Sequence, residues 1–371
     1  MKANESPISS YLEDRERAHA AALPRRFCVE WTSPANIAFV KYWGKKRVQL
    51  PRNPSVAMGL LQSRSMFRVS GMLQETNRPS LEFMFDGKKN PAFRERLQET
   101  LKNIGTYLPF AERYALEVFS GNTFPHSAGI ASSASSMSAF VLCLLSLENH
   151  LLERRKDACF YRKASWLARL GSGSACRSVY PGFSLWGRTR EGSGSDEYAV
   201  PLGEQVHPVF RGLRDHILVI GSGKKGLSSS RGHALMKHHP FAASRYRNAF
   251  LNTGRLLDAL RSGDVEEFIR ITESEALMLH ALIMTSGGND LLMRPATLEV
   301  IEKVWSFRRE TGLPVCFTLD AGPNPHILFP ASAEERALEF IGTMLREHCE
   351  EGLIIGDREG EGPVQVRESY D

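Results

Sequence analysis

The sequence predicts an α+β fold in two domains, and three observations predict it. At 371 residues the chain exceeds the usual size of a single core. Strand-like and helix-like segments mix without strict βαβ alternation, so two layers are expected rather than a doubly wound sheet. A strand at DHILVIG, around 215 to 221, opens a second run of helices and strands. The expected division is a polar extension over 1–25, a first domain over 26–205 and a second over 206–371.

Taken in order, LEDRERAHAA predicts a short helix of unclear role within the extension. CVEW and IAFV carry the β-branched and aromatic residues of strands, with a Ser-Pro break between them. LPRNPSVAMGLL reads as a turn followed by strand, and MFRVSGML with SLEFMFDG as a hairpin pair. A helix is expected from Pro91 to Tyr107, then the strand YALEVFSGN, then a helix ending near Leu152. KDACFYRKASWLARLGSG is amphipathic and ends at Gly171, a residue that suits a helix C-terminus. YPGFSLWGR and EYAVPL predict strands. In the second half, helices are expected near 232–237, 240–262, 264–285 and 295–311. The strand PVCFTL should lead through the turn DAGPNP to the strand HILF. A helix over 333–350 and GLIIG, as the last strand, complete the expected order.

Composition narrows the function classes. Hydrophobic residues make up 42% and charged residues 24%, as in ordinary globular proteins. No run of eighteen apolar residues suggests a membrane span. The first residues lack an apolar signal core and carry acids, so a cytoplasmic protein is expected. The net charge of +5 is scattered along the chain rather than massed, which argues against a nucleic-acid surface. The six cysteines show no CxxC and no metal-ligand spacing, so reduced thiols are expected, with no zinc site and no disulfides.

Five segments carry possible chemistry. PHSAGIASSASS, from Pro125 to Ser136, sets small residues before an apolar helix, where free N–H groups and the helix dipole favour phosphate. The same serines also suit an ordinary N-cap. GSGKKG, at 221–226, imitates a dinucleotide fingerprint, but no acid follows ~20 residues on, as that site requires. GSGSACRS sets Ser172, Ser174 and Arg177 together; Arg pairs bidentately with carboxylate or phosphate. It also reads as a helix end with a surface Arg. FTLDAGPN puts Asp320 at a strand end, where a carboxylate could orient or deprotonate a hydroxyl or face Mg²⁺, although Asp before Gly-Pro also makes an Asx turn. ANIAFVKYWGKK spaces Lys41 and Lys45 around Tyr42 and Trp43, a pattern shared with surface patches.

In this order, with KKGLSSSRG between the last two, ANIAFVKYWGKK, PHSAGIASSAS, GSGSACRS and FTLDAGPN resemble the diphosphomevalonate decarboxylase family of the GHMP kinase superfamily. The resemblance runs from about Cys28 to Phe329. It implies a two-domain GHMP kinase fold: a ribosomal protein S5 domain 2-like N-terminal domain and a ferredoxin-like C-terminal domain, with the active site between them. It implies ATP and Mg²⁺, and mevalonate 5-diphosphate as substrate; relatives of this kind are often homodimers. By the same resemblance, Asp320, Lys41 and Arg177 are catalytic. Asn36, Tyr42, Lys45, Arg64, Ser172, Ser174 and Ser229 would bind substrate, while Gly129, Ala131, Ser132 and Ser133 would bind ATP. The alternatives are a kinase of the same fold that does not decarboxylate, or a non-enzymatic ATP or metabolite sensor. The chain departs from the family between His280 and Asp320, where Asp290 is displaced and no Pro-Pro pair occurs. The Arg of SSSRG also falls about one place late.

Overall fold

The computed structural model describes residues 7–47, 49–75, 80–125, 130, 132–222, 229–288 and 290–371. In chain order the first half contains α1 (Pro7–Ala20), β1 (Arg26–Ala38), β2 (Ser55–Leu73), β3 (Ser80–Phe85), β4 (Lys88–Lys89), α2 (Pro91–Gly105), β5 (Tyr114–Asn122), α3 (Ser132–Leu151), α4 (Ala158–Gly171), β6 (Phe183–Trp186) and β7 (Ala199–Pro201). The second half contains β8 (Arg214–Leu218), α5 (Ser229–Leu235), α6 (Ala242–Ser262), α7 (Val265–Met284), α8 (Pro295–Thr311), β9 (Cys316–Thr318), β10 (His326–Phe329), α9 (Glu334–Phe340), β11 (Ile354–Arg358) and β12 (Val364–Tyr370). The first sheet runs β12-β1-β2-β5-β3-β4, with β6 on β2 and β7 on β6; the second is antiparallel in the order β11-β8-β10-β9.

Local chemistry sets the helices. Asn90 caps α2 and Pro91 occupies its first turn, while Asp157 caps α4 by accepting from the N–H groups of Cys159 and Phe160. The run from Ala134 to Asn149 in α3 is buried all round, which its small and apolar residues permit. Polar atoms on its face against β1 are paired: Trp31 Nε1 donates to Ser146 Oγ at 2.9 Å, and Ser33 and Ser138 share a 2.5 Å bond. Beneath the junction of the two sheets lies one apolar core. It unites Ile37, Phe39 and Phe183 of the first half with Ile217, Phe268 and Leu328 of the second.

Several expectations are corrected. β1 runs through Ser33-Pro34 without a break; the register against β2 shifts between Pro34 and Asn36 instead. A proline is tolerated there because the ladder is already interrupted. The extra β2 residues give the N–H groups of Leu61, Gln62 and Ser63 to the buried carboxylate of Asp357, at 2.9, 2.8 and 2.7 Å. MFRVSGML and SLEFMFDG form no hairpin: β5 lies between them, antiparallel to β2 and parallel to β3. The expected helix over 333–350 is α-helical only to Phe340, continuing as a π turn and 3-10 turns.

GLIIG is not the last strand. β12 pairs antiparallel with β1, from Phe27↔Tyr370 to Thr32↔Val364, so the end of the expected 206–371 unit lies in the first sheet. The N-terminal helix is also longer than expected and is packed down. Tyr11 and Ala18 are buried, and Asp14 meets Arg154 at 2.7 Å and Lys163 at 3.4 Å.

Candidate active site

Lys41 and Asp320 come from opposite halves of the chain and meet. Lys41 follows β1 in irregular backbone, and Asp320 follows β9 at the head of the Gly-Pro turn. Lys41 Nζ donates to Asp320 Oδ1 at 3.0 Å; the lysine is buried, while a third of the Asp320 side chain faces solvent. Burial pushes the Lys41 ammonium below its ordinary range, and the Asp320 carboxylate opposes that shift.

Arg177 stands in the same electrostatic neighbourhood. It is buried, so desolvation works against its charge, and Cys176 and Asp320 act the other way. The 3-10 turn Gly173–Arg177 carries it directly after α4. Its Nε donates to Asn36 Oδ1 at 3.1 Å and its Nη1 to Ser55 Oγ at 2.8 Å. Asn36 in turn donates to Ser178 Oγ at 2.8 Å and to the Ser174 carbonyl at 3.3 Å. Its amide therefore serves the arginine's own scaffold. Ser172 opens this turn, buried, and Ser174 lies within it.

The KYWGK segment forms a second wall. The Tyr42 ring lies 4.5 Å from Trp186 and 4.3 Å from His233, and its buried hydroxyl has no hydrogen-bond partner among the described residues. Burial raises the Tyr42 pKa, keeping the phenol protonated as a donor. His233 of α5 accepts from the Gly44 N–H at 2.9 Å and packs on Trp43; burial, with the Lys45 charge, pushes its pKa down to about 3. Lys45 is lowered by burial and then by a neighbouring cation, Arg96 of α2, which burial also lowers. Burial thus disfavours the charge on both groups, and the Arg96 charge adds to the effect on Lys45.

Not every expected residue joins this group. Arg64 is turned away: its guanidinium donates to Thr32 Oγ1 at 3.1 Å and to the Gly362 carbonyl at 2.6 Å, tying β2 to the approach of β12. Ser132 and Ser133 form the half-buried first turn of α3, while Gly129 and Ala131 lie outside the described residues. Ser229 opens α5; GSGKKG from Gly223 onward is outside the described residues. The two departures from the family pattern meet each other, Arg231 Nη2 donating to Asp290 Oδ2 at 3.2 Å.

Sequence reasoning missed the groups behind the pair. Glu275 and Arg245 form a fully buried ion pair, and His280 Nε2 lies 3.0 Å from the Asp320 carbonyl. Burial pushes the His280 pKa down to about 4. A lone imidazole set in the apolar run ALMLHALIM of α7 was the available signal for His280, whereas Glu275 closes a polar stretch, TESE, that gave none. Arg96 left none, being one charge among many on an amphipathic helix. All six cysteines are free, and no described helix is long and apolar enough to cross a membrane. Among the described residues no cluster of three His, Cys, Asp or Glu could hold a metal by itself.

Comparison with known proteins adds independent findings. Residues 33–199 match the family model of the diphosphomevalonate decarboxylase-like N-terminal domain, and residues 216–366 that of the mevalonate 5-diphosphate decarboxylase C-terminal domain. The diphosphomevalonate decarboxylase of Ganoderma lucidum is 31% identical over 330 residues, covering 84% of this chain and 80% of the relative. The crystal structure of mevalonate diphosphate decarboxylase from Staphylococcus aureus superposes with a TM-score of 0.79 at 26% identity, covering 92% of this chain and 98% of that one. A second solved structure, MDDEF in complex with MVAPP, AMPPCP and magnesium, gives a TM-score of 0.77 at 25% identity over 92% of this chain and 99% of that one.

Proposed function

The chain belongs to the diphosphomevalonate decarboxylase family, with its two-domain GHMP kinase fold, and we propose from its site how it carries out that family's reaction. It is an ATP-dependent decarboxylase of mevalonate 5-diphosphate. The γ-phosphoryl group of ATP passes to the tertiary 3-hydroxyl. The C–O bond of the new phosphate ester then breaks and phosphate leaves with the bonding electrons, the neighbouring carboxylate breaks its C–C bond, and isopentenyl diphosphate, carbon dioxide, phosphate and ADP result.

The observation that carries the reading is the 3.0 Å Lys41–Asp320 contact with Arg177 in its field. Asp320 orients the hydroxyl and accepts its proton as the phosphoryl group arrives. Lys41, a buried cation, stabilises negative charge on the transferring oxygens. Arg177 holds the substrate carboxylate in line for loss. Its planar fork suits a carboxylate, and its position is set by Asn36 and Ser55. Ser172, Ser174 and Ser229 orient the substrate. Lys45, Arg96 and the unpartnered Tyr42 hydroxyl meet the diphosphate, whose charge relieves the mutual repulsion of the two cations.

The N-terminus of α3, with Ser132 and Ser133, receives the ATP phosphates. The donor set fits a Mg²⁺ carried in by the nucleotide: hydroxyl oxygens and one carboxylate, Asp320, are hard ligands, and no metal cage exists among the described residues. Bound there, Mg²⁺ would neutralise phosphate charge. The test is incubation with ATP, Mg²⁺ and mevalonate 5-diphosphate, following ADP and carbon dioxide together. Equal yields are expected. ADP without carbon dioxide would instead identify a kinase, and neither product a sensor.

A further inference from the structure

Lys41 and Asp320 both sit in irregular backbone, which by itself holds a side chain loosely. Each is nevertheless fixed through its main chain, and by the same helix. The Lys41 N–H donates to Glu275 Oε2 at 3.0 Å, while its carbonyl accepts from Arg245 Nη2 at 2.8 Å and from Asn53 Nδ2 at 3.1 Å. Glu275 is closed on Arg245 by two 2.8 Å bonds and takes a third from Asn252 at 2.8 Å. About 7.5 Å further along α7, five residues on, the imidazole of His280 reaches the Asp320 carbonyl at 3.0 Å. That contact makes Nε2 the protonated nitrogen, since a carbonyl only accepts. Near the start of α7, Phe268 packs on Phe39 with ring centroids 5.0 Å apart, two residues ahead of Lys41.

We infer that α7 is the common positioning element of the reacting pair: Glu275, closed by Arg245, sets the main chain of Lys41, and His280 sets that of Asp320. The inference rests on Lys41 and Asp320 being the reacting groups. It explains why a charged pair is retained where side-chain exposure is 1% and 0%. Stability alone does not require it, because apolar residues of similar volume commonly replace such pairs without loss. Apolar residues cannot hold the N–H and carbonyl of Lys41. Carboxylate and guanidinium together hold both.

The test separates stability from turnover in the full-length protein. In Arg245→Met/Glu275→Leu, the pair is exchanged for apolar volume. We expect a protein still folded at assay temperature, its melting temperature lowered because the Lys41 N–H and the Asn252 amide lose their acceptor, with a kcat lowered ~100-fold and a KM for ATP within about threefold of the parent's, since misplacement by about an ångström costs that much. His280→Leu should lower kcat roughly tenfold. His280→Gln, which returns an N–H donor near the position of Nε2, should recover it to within about threefold, a rescue that a merely space-filling histidine would not give. Parental kcat in the folded double variant overturns the inference, as does His280→Gln being as slow as His280→Leu. If the double variant does not fold, the His280 pair decides alone. Asp320→Asn run alongside keeps the two levels apart. Parental turnover in that variant overturns the assignment of the reacting pair itself, whereas its inactivity alongside fully active α7 variants overturns only the role of α7.

Discussion

Arg177 commits Nε and Nη1 to protein acceptors and leaves Nη2 without one among the described residues, so a ligand carboxylate would meet a fork already held in orientation. Lysine cannot reproduce this: an ammonium is a point charge and would have to abandon Asn36 and Ser55 to reach the same place. Arg177→Lys should therefore lower kcat/KM by about 10²-fold or more in a protein that still folds, when carbon dioxide release is followed. Asp320→Asn keeps the shape of the side chain but removes the charge that faces Lys41, and with it the proton acceptor. Nearly all turnover should vanish while ATP still binds, a result that calorimetric titration with nucleotide would check. Arg96 gives a different signature. Its charge bears on Lys45 and lies apart from the reacting pair, so Arg96→Met should raise KM for mevalonate 5-diphosphate roughly 10–100-fold and leave kcat within a few-fold.

At the scale of elements, legibility followed chemistry that is local. The helices starting at Pro91 and ending at Gly171, the buried run of α3 and the strands around the Asp320 turn could be read because each is set by neighbours in sequence. β12 could not, because VQVRESY is a largely exposed edge strand with no buried face to pattern it. The false hairpin failed because β5, about thirty residues downstream of β3, inserts between the two segments. The site divided the same way. Lys41, Arg177 and Asp320 lie in recognisable strings, whereas Glu275 is one of four glutamates in α7 and His280 a lone imidazole in its apolar final turns. The β2 bulge is likewise invisible in sequence, yet it hangs on one side chain. Asp357→Ala would leave the N–H groups of Leu61, Gln62 and Ser63 without their acceptor. A loss of about 3 kcal/mol in unfolding free energy is expected from urea titration, with activity at low denaturant little changed.

Across the whole molecule, the two halves join at a seam that carries two neutral histidines. His233 must keep Nδ1 bare to accept the Gly44 N–H, and His280 sits buried beside the Lys41 cation, so adding a proton to either costs more in the folded protein than in the unfolded chain. Their folded pKa values, about 3 and about 4, lie below the ordinary value of 6.5. The unfolded chain therefore takes up these protons first as the pH falls. Stability from both is present in full above pH 6.5 and declines below it, until the folded values are reached. Each contributes up to about 1.4 kcal/mol per pH unit in that window, so the pair removes about 2 kcal/mol between pH 6.5 and 5.5. Carboxylates titrate mostly below that interval, which isolates the histidines. Urea midpoints measured from pH 7 to 5.5 should fall in the parent and fall distinctly less in His233→Asn/His280→Gln, where neither group titrates. Because both histidines stay neutral in the folded protein down to about pH 4, they give turnover no pH dependence over this interval. An equal slope in parent and double variant would locate the acid sensitivity elsewhere in the chain.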